Sequence, residues 1–249
     1  MNMITFHPNT TKLSNFSNGN KPIASFLNLI FECNVENPTI AEVGTYTGAT
    51  SVFAAQLVKQ KKGTFLAIDT FDGSDNVSID SPHSNKHLQK GEVLRKFKEN
   101  IDSVECTEIT KIYEMDSLKA ANKIEDNSLD ICFIDASHLY TDVKNDIIAY
   151  LPKVKKGGII CGHDFEMGSE NVISDVTENQ FKCDYVTVLV DYEINAETSF
   201  RGKILEKKVI DFKKIAFWLH PGVTRAVLEQ FGSSYNIKTT LDNVWIVRL

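Results

Sequence analysis

The chain's 249 residues, 42% of them hydrophobic, suffice for one large α/β domain or for a domain carrying a sizeable insertion. A formal net charge of −6 argues against a phosphate-tracking nucleic-acid binder, which needs clustered positive charge. No apolar run approaches the roughly 18–20 residues that span a bilayer. The polar start, MNMITFHPNTTKLSNFSNGN, lacks the basic-then-apolar order of a secretion signal, so a cytoplasmic location is expected.

The first twenty residues, rich in Asn, Thr and Ser, read as a loose lead-in. PIASFLNLIFE, Pro22 to Glu32, predicts an amphipathic helix with Pro22 near its first turn. Strands and helices then alternate: strand TIAEVG, a helix from Ser51 to Lys61, strand TFLAID, helix GEVLRKFKENI, strand ITKIYEM, helix SLKAANKI, strand LDICFID, helix LYTDVKNDIIAYL and strand GIICGHD. Leu139, Val143, Ile147 and Leu151 recur every four residues and give their helix one apolar stripe. This alternation implies a parallel sheet covered on both faces. The pattern breaks after Asp164. Residues 165–219 are charged and irregular around one β run, YVTVLVDY, and read as an insertion on a doubly wound domain. Helix PGVTRAVLEQFG and a terminal antiparallel hairpin, YNIKTT and NVWIVRL, close the chain.

The five cysteines, Cys33, Cys106, Cys132, Cys161 and Cys183, form no CxxC pair and read as small buried hydrophobes of a reducing compartment. The lysine-rich stretches KQKK and KKVIDFKK read as solvated faces. Phe217 and Trp218 serve equally well as core or as an acceptor-pocket lining.

In open parallel sheets, ligands bind beyond the carboxyl ends of the strands, at the switch in strand order. The informative residues fall there. After strand one comes EVGTYTGATS, Glu42 to Ser51, in which Gly44 and Gly48 permit a tight turn and close backbone approach to a ligand. The stretch is not the GxGxxG of a dinucleotide fold. Strand two ends at Asp69, placed to accept hydrogen bonds from ribose hydroxyls or to cap a turn. Strand three ends at Asp116 and Ser117, which either touch an adenine edge or cap the next helix.

Together these residues resemble the class I S-adenosylmethionine-dependent methyltransferases, across Pro38–Asp164 and again across Pro221–Leu249. The run FIDASHLYTDVKNDIIAYLPKVKKGGIICGHDF is similar to a bacterial subgroup of metal-dependent sugar O-methyltransferases and cephalosporin-hydroxylase-like proteins. The resemblance implies a Rossmann-like seven-stranded sheet in the order 3-2-1-4-5-7-6, the last strand antiparallel. It implies that Glu42, Gly44, Thr45, Tyr46 and Gly48 line the methionine and ribose part of an S-adenosylmethionine pocket, which Asp135 also faces. Asp69 would hold the ribose, and Asp116 with Ser117 would flank adenine. The expected reaction is O-methylation of a hydroxyl on a sugar or other small polar acceptor, by a protein open to homo-oligomerisation and expected to take no nucleic-acid or membrane partner. A metal-independent or nitrogen-directed methyltransferase, or a non-catalytic ligand-binding protein, is the alternative.

Strand four delivers Asp135, and strand five delivers His163 and Asp164. If the strands are neighbours, two carboxylates and an imidazole converge at one rim, a donor set for a divalent ion such as Mg2+ or Mn2+. The subgroup places acidic metal ligands at these three positions, and His163 departs from that pattern. Asp135 and His163 could instead simply hydrogen-bond in the pocket. By resemblance His138, three residues past Asp135, would be the general base, with Asp135 sharing the catalytic role; a helix N-cap is the other role open to His138.

Overall fold

The computed structural model describes residues 5–12, 22–73, 91–165, 186–191, 214–232 and 234–249. Its central sheet has seven strands: β1 (Thr39–Val43), β2 (Thr64–Asp69), β3 (Thr110–Glu114), β4 (Leu129–Ile134), β5 (Val154–Gly162), β8 (Lys238–Thr239) and β9 (Trp245–Arg248). They run in the order β3-β2-β1-β4-β5-β9-β8. The first five are mutually parallel, and β9 is antiparallel to both β5 and β8. The expected order 3-2-1-4-5-7-6 is therefore present, with β8 and β9 as its sixth and seventh strands. Between β5 and the C-terminal helix, β6 (Val186–Asp191) and β7 (Lys214–Leu219) pair antiparallel as a separate two-stranded sheet. The run YVTVLVDY supplies β6. Its partner β7 went unread, because KIAFWL has no strand-like alternation.

The helices α1 (Ala24–Glu32), α2 (Ser51–Gln60), α3 (Glu92–Ser103), α4 (Ser117–Ala121), α5 (Tyr140–Tyr150) and α6 (Pro221–Phe231) cover the sheet. Alternate residues of a strand point to opposite faces, so the central strands feed two cores. Ile40, Phe65, Ile131 and Phe133 pack with Phe26, Val52 and Phe97 of α1–α3. Val43, Ile68, Cys132 and Ile134 pack with Val143, Ile147, Val223 and Val227 of α5 and α6. All six residues of β4 are buried, as a strand covered on both faces requires. The α5 stripe buries Val143 and Ile147 as its spacing predicts. Cys106, Cys132 and Cys161 are buried thiols; Cys183 lies outside the described residues.

The terminal antiparallel hairpin is present as β8 and β9, and both ends of the chain carry contacts the sequence did not show. The lead-in is tied down over Thr5–Thr10, where a 3-10 turn begins at Pro8. The His7 N–H donates to Gln56 Oε1 at 2.6 Å, and Thr10 is buried against the same side chain. The tight turn before β9 is tied to α1: the Ser25 N–H donates to Asp242 Oδ2 at 2.9 Å, and the Ser25 hydroxyl donates to the other oxygen. Among the described residues no helix is long and apolar enough to cross a membrane.

Candidate active site

Strand order reverses between β1 and β4, and the crevice at their carboxyl ends collects the residues singled out above. Glu42, the penultimate residue of β1, is 2% exposed and accepts a hydrogen bond from Ser51 Oγ at 2.6 Å. Burial pushes its carboxyl up to about 8 against that hydrogen bond, helped by the nearby charges of Asp135 and Asp69. The loop after β1 turns through Gly44 (φ +91°), Tyr46 (φ +47°) and Gly48 (φ +90°). At both glycines the protein itself fills the space a side chain would need. A Cβ on Gly44 would lie 2.1 Å from the Asp135 carbonyl oxygen, and one on Gly48 would lie 3.0 Å from the Phe97 ring. The loop is fixed from below by Asn100, whose side-chain amide donates to the Thr47 carbonyl at 2.8 Å.

Asp69 at the end of β2 is bound into the same loop. Its Oδ2 accepts from the Tyr46 N–H and its Oδ1 from the Phe71 N–H, both at 2.7 Å. Burial raises its carboxyl, and the N–H groups of Phe71, Tyr46 and Thr45 pull it back. A carboxylate offers about four lone-pair positions, so capacity remains for hydroxyl donors. The Thr45 hydroxyl is buried and has no hydrogen-bond partner among the described residues, as a group awaiting a ligand would be. At the end of β3 the geometry realises the capping alternative. Asp116 accepts from the N–H groups of Leu118 and Lys119 at 3.1 and 3.2 Å, and Ser117 Oγ donates to the buried Asp146 at 2.5 Å.

Beyond β4 and β5 lies the densest group. The strands pair in register up to Ile134 and Gly162, and the Asp135 N–H donates to the Val43 carbonyl at 2.8 Å, so the predicted convergence is present. His163 Nδ1 lies 3.0 Å from Asp164 Oδ1 and 3.7 Å from Asp135 Oδ1. Asp164 is left-handed (φ +62°), which a non-glycine residue adopts only when its surroundings impose it. That turn also brings its Oδ2 within 2.9 Å of His138 Nε2. His138 does not cap α5; Ser137 binds that helix start, donating to Asp142 at 2.7 Å and accepting from the Leu139 N–H. A further histidine, His220, completes the group. Its Nδ1 is 3.7 Å from Asp164 Oδ1, and its ring packs edge-on to His138 with centroids 4.4 Å apart. Sequence reading missed it, because residues 165–219 separate it from Asp164 and it stands before Pro221 like any helix lead-in.

The charges reinforce one another. Burial alone would depress the His163 imidazolium, but its hydrogen bond to Asp164 and the charges of both carboxylates lift it to about 9. Burial likewise opposes ionisation of Asp164, yet His138 and His163 hold it well below the usual carboxylate range. Asp135 is raised by burial, against the pull of His163; the side chain is still 24% accessible, so the rise is partial. By contrast, Asp130 at the opposite end of β4 is paired with Lys155 at 2.8 Å and serves the sheet alone.

A seven-stranded sheet of this order, with acids at three strand ends and a loop at the switch point, defines the class I S-adenosylmethionine-dependent methyltransferase architecture. Residues 41–165 match the methyltransferase-domain family, and the chain belongs to it. Solved structures similar in fold include an O-methyltransferase from Bacillus cereus in complex with S-adenosylhomocysteine (TM-score 0.58, 12% identity, 99% of this chain and 93% of that one). Another is TomG, an O-methyltransferase of tomaymycin synthesis from Streptomyces achromogenes in complex with S-adenosylmethionine (TM-score 0.58, 9% identity, 99% and 92%). In sequence, 139 residues are 25% identical to the uncharacterised protein y4gI of Sinorhizobium fredii; the match spans 51% of this chain and 13% of that protein.

Proposed function

We propose that the protein is a cytoplasmic S-adenosylmethionine-dependent O-methyltransferase acting on a hydroxyl of a sugar or another small polar acceptor. The observation that carries this reading is the placing of His138, Asp135, His163 and Asp164 at the same rim as the Glu42–Gly48 loop, in a chain of the methyltransferase-domain family. The cofactor supplies an electrophilic methyl group on a sulfonium. Fit for it rests on the unpartnered Thr45 hydroxyl and on the lone pairs of Asp69. Asp69 would take the ribose hydroxyls, the 44–48 loop would lie along the methionine part, and the Asp116–Ser117 turn would flank adenine through its backbone.

In the transfer, the acceptor oxygen bonds to the methyl carbon as the carbon–sulfur bond breaks, and the hydroxyl proton must leave. A neutral His138 that gives its Nε2 proton to the Asp164 hydrogen bond carries its lone pair on Nδ1 and can take that proton. Asp164 steadies the imidazolium that results. Asp135, His163 and Asp164 fit a divalent ion in donor type and spacing, with ligand atoms within 4.8 Å of one another. A cation there would lower the pKa of a coordinated hydroxyl. His163, lifted to about 9, would have to release its proton to become a ligand. We further propose residues 165–219 as the acceptor-selecting cover, since past the buried Phe165 they depart from the main sheet beside Asp164 and return at His220, inside the site.

Calorimetric titration with S-adenosylhomocysteine tests the reading. The parent should bind it and not NAD, and Asp69→Ala should weaken binding by roughly 1–3 kcal/mol, the worth of a charge-assisted hydrogen-bonding partner. No binding by the parent would overturn the proposal; equal affinity in the variant would remove Asp69 from the site.

A further inference from the structure

We propose that His138, Asp164 and His220 form a second cation site, which shares Asp164 with the Asp135–His163–Asp164 group, and that it takes a borderline divalent ion such as Zn2+ in preference to Mg2+. Three chain segments meet there: the loop after β4, the turn after β5 and the residue that opens α6. His138 Nε2 stands 2.9 Å and His220 Nδ1 3.7 Å from Asp164 oxygens. One nitrogen or oxygen from each of the three residues lies within 4.8 Å of the others, a triangle small enough for one ion. All three side chains are partly buried, at 24%, 14% and 20% exposure, so the site is accessible to an ion yet walled.

The arrangement is built, not incidental. A Cβ on Gly222 would lie 2.4 Å from the His138 carbonyl oxygen and 2.5 Å from the Tyr140 nitrogen. Only glycine therefore lets the first turn of α6 rest on the 138–140 backbone, and that contact sets His220 beside His138. The left-handed turn at Asp164 turns its carboxylate toward both rings.

Donor chemistry separates the two groups. The first offers two carboxylates and one imidazole, a set tolerant of hard ions. The second offers two imidazoles and one carboxylate, the composition of a zinc site with an open position. Imidazole nitrogen favours later first-row ions and disfavours Mg2+, which seeks oxygen and keeps its water. An ion held here spans Asp164 and His220, the two residues between which 165–219 depart and return. It also occupies His138, so under the function proposed above it would silence the base.

The test titrates Zn2+ and Mg2+ separately into the full chain by calorimetry. The expected result is Zn2+ affinity at least about 100-fold above that for Mg2+. His220→Asn, which places a favourable residue at the helix N-cap, should lose about 10–100-fold in Zn2+ affinity, while Asp135→Asn should stay within about 3-fold of the parent. Unchanged Zn2+ affinity in His220→Asn overturns the proposal, as does an equal loss in Asp135→Asn, which would put the ion in the first group. Should His220→Asn fail to fold, Co2+ added to the parent and to Asp135→Asn decides: the same visible absorption of nitrogen-ligated Co2+ in both supports the site, and the spectrum of aquated Co2+ in the parent, or loss of the absorption in Asp135→Asn, refutes it. Failure here leaves S-adenosylhomocysteine binding untouched, and failure of that binding leaves the Zn2+ result intact, so the two proposals fall separately.

Discussion

Glu42→Gln isolates a strongly perturbed acid of the crevice with little change of shape. The amide oxygen can still accept the Ser51 hydroxyl hydrogen bond, now 2.6 Å long, but the side chain can no longer ionise. In the unfolded chain Glu42 loses its proton near 4.5, and in the fold only near 8. The folded state therefore binds more protons across that window, and stability falls as pH rises through it. The favourable contribution is whole below 4.5 and gone above about 8. At 1.36 kcal/mol per pH unit the full span amounts to roughly 4–5 kcal/mol. Between about pH 5.5 and about pH 8.5, the parent should lose about 3 kcal/mol relative to Glu42→Gln. Urea unfolding of both proteins at a series of pH values measures this, with the dependence on urea compared to confirm the same surface is exposed. Asp146, pushed to about 7 by burial, and His163, lifted to about 9 by its carboxylate partners, titrate with the same sign; they occur in both proteins and cancel in the difference. Parallel stability curves for parent and variant would refute the reasoning, since Glu42 would then ionise as it does in water.

Two further outcomes follow from the site. His138→Ala should lower turnover by roughly 10²–10⁴-fold, the usual range for a lost general base, and should abolish the ascending limb of the pH–rate profile while S-adenosylhomocysteine still binds; full activity would place the base elsewhere, with Asp135 the next candidate. Replacing residues 166–219 with a short linker should spare cofactor binding and end acceptor turnover, because Asp164 and His220 already lie side by side; loss of folding, seen by circular dichroism, would make the segment part of the core instead.

The reach of the sequence follows the range of the forces involved. The strands and helices were readable because alternating apolar runs and helical stripes are local signals, whereas their order in the sheet came from the family resemblance; Asp135, His163 and Asp164 could be placed together once β4 and β5 were taken as neighbours. The glycines were found as turn residues, and both do take positive φ; the second demand on Gly44, room for the Asp135 carbonyl, is a contact made only in three dimensions. Asp116 and Ser117 were left between two roles, and the capping one is realised because the helix start α4 supplies bare N–H groups at once. The pairing of β7 with β6, the docking of Thr10 on Gln56, and His220 at the site each depend on contacts between residues far apart in the chain, for which neighbouring residues carry no mark.

The Asp242 turn has a consequence for the order in which the protein is made. It holds Ser25 of α1, its backbone hydrogen-bonds the His163 ring, and the next residue accepts the Phe165 N–H at 3.0 Å. A chain emerging from the ribosome exposes β5 as an unpaired edge until β9 arrives to zip against it. Throughout that interval the rim lacks its last brace, and the open edge invites pairing with another nascent copy.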